Sequence, residues 1–224
     1  LDAIEAKLDD SITAEPALAP GESAATIDLS KVDFDALEKK FTKSGTKNSE
    51  AVKLRALIEQ KLKILIRFNA SRYDNLERFE KIVEEYNKGS VAIEEFFEHL
   101  VEFSKELNEE EARHLREQLS EEGLAAFDIL TRPGPELDQK EIDEIKKVCR
   151  DMLAKLKTEL LVLNWRKKRT SRAAVRVEIE KMLDAGLPEA YTVDLFELKS
   201  GALFQHILEK YPECDGSVYE GGVA

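Results

Sequence analysis

The chain has 224 residues with Lys+Arg 34 against Asp+Glu 46, a formal net charge of −12, with 36% charged and 42% hydrophobic residues. A chain of this length buries roughly 70% of its unfolded surface and needs no disulfide or metal staples. No uninterrupted apolar run exceeds four residues (Leu160 to Leu163 is one), so no segment reads as a bilayer span. The two cysteines, Cys149 and Cys214, read as thiols of a reducing compartment. With no basic lead followed by an apolar core at the start, the expectation is a cytoplasmic, acidic protein. The chain opens on Leu1 instead of Met, which is expected of a piece cut from a longer protein.

Residues 1–30 carry seven acids against Lys7, and Pro16, Pro20 and Gly21 interrupt them, so they read as an irregular acidic linker. From residue 31 the apolar period is helical. Phe34, Leu37 and Phe41 form a short stripe ended at Gly45. A long second helix carries Leu54, Leu57, Ile58, Leu62, Leu65 and Phe68, and a third carries Leu76, Phe79, Ile82, Val83 and Tyr86 up to Gly89. Ser90 is expected to cap a fourth, with Ile93, Phe96, Phe97, Leu100 and Val101. Asn108 followed by Glu111 spells a capping box that would open a fifth helix. A sixth bears Leu124, Phe127 and Leu130, and Arg132-Pro133-Gly134-Pro135 then breaks the chain at a candidate elbow, 132–135.

Asp138 with Glu141 opens what reads as the longest helix, its stripe running from Ile142 through Cys149 and Leu156 to Leu163. A basic helix with Val175, Ile179, Met182 and Leu183 follows Trp165, which reads as core. Gly186-Leu187-Pro188 turns the chain into a last helix with Leu195, Phe196, Leu203, Phe204, Ile207 and Leu208, in which Gly201 marks a candidate kink. Residues 213–224 hold three glycines, Gly216, Gly221 and Gly222, and read as a flexible tail. The fold class is therefore all-α, a multi-helix bundle of roughly eight or nine helices over residues 31–212.

The sequence offers no catalytic centre and no metal site. A phosphate-binding loop needs glycines followed by lysine, and the nearest match, Gly216 to Gly221, is followed by Gly222. His99, His114, His206, Cys149 and Cys214 lie on separate segments, not at zinc spacing. Asp138-Gln139-Lys140 resembles a nuclease spelling, but Asp138 stands at a helix cap with no strand around it. A stand-alone enzyme is thereby the weakest of three function classes.

Charge is the remaining signal. Residues 77–123 hold fifteen acids and six bases, whereas 155–181 hold nine bases and three acids. Residues 53–81 are also basic, with eight bases against four acids. Such runs are ordinarily solvated helix faces. The sharper reading makes Arg166, Lys167, Lys168, Arg169, Arg172 and Arg176 a surface for an acidic partner or for phosphates, with Phe196 and Tyr211 of the last helix as companion contacts. The alternative is a helical nucleic-acid-binding module that contacts DNA directly through 155–181, although a net charge of −12 opposes that approach.

Residues 32–74, with their long helix and Asn69-Ala70-Ser71-Arg72 turn, 79–114, 115–130, the Trp-then-basic 164–183, and 187–213 together resemble the C-terminal helical region of the type I restriction enzyme R subunit. None is a catalytic motif; their order and length carry the likeness. The resemblance implies a parent that is an ATP-dependent DNA translocase and endonuclease, using ATP and magnesium in segments outside this chain. It implies no cofactor and no catalytic residue within the chain. The implied role is docking of the motor onto the methyltransferase and specificity subunits, with DNA met through the assembled complex and no membrane involved.

Overall fold

The computed structural model describes residues 29, 32–212 and 217–219. The expected linker lies almost wholly outside the described residues, as does most of the expected tail. Among the described residues the regular structure is entirely helical. Helix α1 (Phe34–Lys43) starts where the Asp33 side chain accepts the Ala36 amide at 2.9 Å, and its Phe41 stacks on Phe97 with centroids 3.8 Å apart. Helix α2 (Lys47–Phe68) is the longest, and it buries Ala51, Leu54, Ile58, Leu62 and Leu65 at three- and four-residue steps. Asn69 ends it and turns the chain through Ala70–Arg72 into α3 (Tyr73–Asn87). Gly89, at φ +71°, takes the left-handed conformation that stops α3.

Helix α4 (Ile93–Glu111) departs from expectation at both ends. Its N-cap is Ala92, with no side-chain cap, so Ser90 does not open it. At the other end, Asn108 lies inside the helix. The apolar stripe continues through Phe103 to Leu107, both buried, and a break at Asn108 would expose it. The Asn108 amide instead donates to the Leu29 carbonyl at 3.1 Å, holding the incoming chain. Lys47 meets Glu94 and Lys61 meets Glu111, so α2 and α4 run parallel; Arg78 meeting Glu106 and Tyr86 stacking on Phe96 make α3 antiparallel to them.

After the single turn α5 (Arg113–Arg116), Ser120 caps α6 (Glu121–Thr131). Helix α7 (Gln139–Lys155) carries the expected capping box, Asp138 accepting the Glu141 amide at 2.9 Å and Glu141 accepting the Asp138 amide at 2.8 Å. It closes in a π turn, Leu156–Leu160, and does not carry its stripe on to Leu163. Helices α8 (Arg169–Gly186) and α9 (Val193–Lys210) complete the bundle, and α9 passes through Gly201 without a break. At Gly186 the backbone approaches α7 so closely that a Cβ would lie 2.3 Å from Val148 Cγ2.

Two apolar cores result. The first gathers α1–α4 around Leu54, Ile58, Phe97 and Leu100. The second gathers α6–α9 around Leu124, Ile145, Cys149, Trp165, Ile179 and Ile207. The chain passes from one to the other between Leu107 and Leu119, while the Pro133–Pro135 break lies within the span of the second. A buried polar seam joins them. Asp128 accepts from Asn69 at 2.6 Å, from Ser71 at 3.0 Å and from Arg113. Arg72 pairs with Glu110 at 3.0 Å and Glu121 at 3.1 Å. Burial acts to lower the Arg72 pKa, but hydrogen bonds and the charges of Glu121 and Glu110 outweigh it and raise it. The turn noted in the sequence is thus the hub between the two halves.

Residues 217–219 pack across the same junction. The Tyr219 hydroxyl donates to the Phe68 carbonyl at 2.7 Å, its oxygen lies 2.9 Å from His206 Nε2, and the Val218 amide donates to the Lys210 carbonyl at 3.0 Å.

Candidate interaction surface

The basic segment is divided by its local geometry into paired and unpaired parts. Lys155 binds Glu178 at 2.7 Å, Lys157 binds Glu122 at 3.0 Å, and Arg176 binds Glu180 at 2.9 Å one turn along α8. The hydrogen bond between Lys155 and Glu178 raises the lysine pKa and lowers that of the carboxyl. Arg172 turns back and donates to the Arg166 carbonyl, and both residues are half-buried. Lys167, Lys168 and Arg169 are exposed and form no ion pair among the described residues.

These cations stand on an anchored turn. The Leu161 amide donates to the Leu156 carbonyl at 2.8 Å, closing the π turn. The Trp165 amide donates to the Val162 carbonyl at 2.9 Å, and the Lys167 amide to that of Asn164 at 3.0 Å. Trp165 is buried as the sequence indicates, and its Nε1 donates to the Tyr211 carbonyl at 3.0 Å. Asn164, at φ +61°, occupies the left-handed region, which Asn tolerates better than most residues.

Of the eight residues singled out in the sequence, Arg166, Lys167, Lys168, Arg169 and Arg172 gather on this turn and the first turn of α8. Arg176 lies further along α8 and is paired. The other two are not on the open face. Tyr211 is buried, its hydroxyl bound to Glu122 and its carbonyl beneath Trp165, and Phe196 is half-buried against the second core. Sequence reasoning missed Val162 and Leu163, which are 51% and 62% exposed on the same turn. The signal was present in the run Leu160 to Leu163: four consecutive aliphatics sweep most of a helical turn and cannot all face one core.

Other features select less. A groove of about 550 Å³ between α7 and α8 is lined by Glu144, Asp151 and Glu178 together with Lys147, Lys155 and Lys181, so its charges oppose one another. No group of three or more His, Cys, Asp or Glu among the described residues could hold a metal ion. The most buried carboxylate, Asp128, is committed to Arg113, Asn69 and Ser71. No described helix is long and apolar enough to cross a membrane.

A protein of Methanocaldococcus jannaschii, bearing the name of a type I restriction enzyme MjaIXP endonuclease subunit, is 30% identical over 132 residues, 54% of this chain. The chain spans only 12% of that relative. No solved structure matches. Residues 19–211 match the family described as type I restriction enzyme HindI endonuclease subunit-like, C-terminal. The chain belongs to that family of C-terminal regions of type I restriction endonuclease subunits.

Proposed function

We propose that this region docks the motor part of a type I restriction endonuclease subunit onto the methyltransferase and specificity subunits of the same system. The ATP- and magnesium-dependent translocation and DNA cleavage implied for the parent then belong to segments outside these residues, and DNA is met through the assembled cytoplasmic complex. The observation that carries the reading is the turn at 161–169. It sets Lys167, Lys168 and Arg169, which form no ion pair among the described residues, on a base held by Trp165, while Lys155, Lys157 and Arg176 are neutralised within the fold. Fixed, unpaired charge steers association and sets register with an acidic partner.

The experiment is co-elution of the full endonuclease subunit with the methyltransferase–specificity complex, without DNA, at two salt concentrations. Charge reversal at Arg166, Lys167 and Arg169 is expected to release the subunit at moderate salt. Unchanged assembly would count against the reading. The same three cations favour a second reading, direct contact with DNA. It requires the subunit to bind duplex without its partners, with log affinity falling by about 0.9 per log unit of salt for each phosphate contacted.

A further inference from the structure

The geometry points to Val162 and Leu163 as the apolar anchor of an interface, seated in an acid-rimmed apolar pocket of the methyltransferase–specificity assembly. The inference rests on the docking reading above and adds the residues that give the contact its affinity.

Large aliphatics exposed singly on a helix are ordinary. Val162 and Leu163 differ because they are adjacent; no other two exposed large hydrophobic residues are neighbours in the described chain. Nor are they on a frayed end. Leu161 on one side and Trp165 on the other are buried, and three backbone hydrogen bonds close the turn between residues 156 and 167. Asn164 is held at φ +61° by these flanking anchors. A side chain already fixed in its presenting position loses little freedom on binding, which is how preorganisation raises affinity.

The chemistry around the pair names the partner. Lys167, Lys168 and Arg169 follow within six residues of Leu163 and lack ion pairs among the described residues, so the complementary rim is acidic. An apolar centre with a charged rim is the anatomy of a protein interface. Nucleic acid is the poorer match. Phosphates are satisfied by the cations alone, two aliphatics set against a hydrated backbone gain nothing, and the net charge of −12 repels a polyanion.

The test uses the full-length endonuclease subunit with Leu163→Asp, with the milder Leu163→Ser, with Lys167→Glu/Lys168→Glu, and with Leu198→Asp as a control of like exposure on α9. Affinity for the purified methyltransferase–specificity complex is measured at two salt concentrations, and affinity for duplex DNA is measured separately. Leu163→Asp is expected to weaken assembly roughly thirty-fold at both salts, the scale of burying one aliphatic side chain, and Leu163→Ser to follow it in part. The lysine pair should weaken assembly chiefly at low salt, and Leu198→Asp should leave it unchanged. Wild-type assembly by both Leu163 variants, with the lysine pair impaired, overturns the anchor and leaves the docking reading standing. Loss of duplex binding in the Leu163 variants with assembly intact overturns the anchor in favour of nucleic acid. A wild-type subunit that does not bind the complex at all overturns both.

Discussion

Asn69 and Asp128, 59 residues apart, meet through a 2.6 Å hydrogen bond at the boundary between the two apolar cores. Around that bond stand Ser71, Arg72, Glu110, Arg113 and Glu121, a polar hub on which one helical half seats against the other. A buried charge cluster of this kind stabilises little compared with a packed apolar contact, but removing one member strands the others.

Asp128→Ala is therefore expected to destabilise the fold by about 3 kcal/mol, because Asn69, Ser71 and Arg113 lose their shared buried acceptor and Arg113 keeps only Glu110, at 3.1 Å. Urea unfolding followed by the fluorescence of Trp165, the one tryptophan in the chain, measures the second core directly. A loss under 1 kcal/mol would mean that water replaces the carboxylate and that the seam is open.

Two glycines should respond oppositely to alanine. Gly201 lies inside α9 with nothing within 4 Å of an added Cβ, so Gly201→Ala should stabilise by about 0.5–1 kcal/mol. At Gly186 the new methyl meets Val148 Cγ2 at 2.3 Å, and overpacking of about 1–3 kcal/mol outweighs the helix propensity gained at a helix end. Combining Gly186→Ala with Val148→Ala should recover part of the loss in thermal unfolding.

His206 sets a pH dependence. Burial first, then the nearby Lys210, lowers its pKa from 6.5 to about 4. The unfolded chain therefore binds this proton more tightly. The stability held by neutral His206 is complete above about pH 6.5 and declines as pH falls toward about 4, at up to roughly 1.4 kcal/mol per unit. Urea midpoints measured across that window should flatten in His206→Gln relative to wild type.

Cys149 is fully buried, and burial pushes its pKa up to about 12, so no reactive thiolate forms near neutrality. In a Cys214→Ser background the native chain should resist a thiol reagent at pH 8 and react fully in denaturant. Rapid native labelling would show that the second core opens.

The elements that rest on local rules were legible in the sequence. Asp138 and Glu141 form their capping box because both partners lie within one turn. Trp165, a large apolar ring beside a long aliphatic segment, is buried as that composition suggests. Gly89 stops α3 because its conformation favours glycine. The all-α class follows from the same period repeated along the chain. Local rules misled where a long-range contact outbid them. Asn108 has the spelling of a cap, yet burial of Leu107 beyond Phe103 keeps it helical and its amide is taken up by Leu29.

The candidate surface was half legible. The basic run Arg166 to Arg169 is plain in the sequence; which of its charges are free is not, because the acids that neutralise Lys155 and Lys157 lie 23 and 35 residues away. Tyr211 has the sequence character of a contact residue, and only the tertiary fold puts it beneath Trp165. By itself the sequence determined the helices, the all-α class and the segment that bears the charge, since periodicity, capping and composition act over a few residues. Tertiary packing alone decided the polar hub, the docking of Tyr219 on Phe68 and which two of the four aliphatics from Leu160 to Leu163 turn outward. Each of these depends on which distant surface a residue meets, and chain order does not encode that distance.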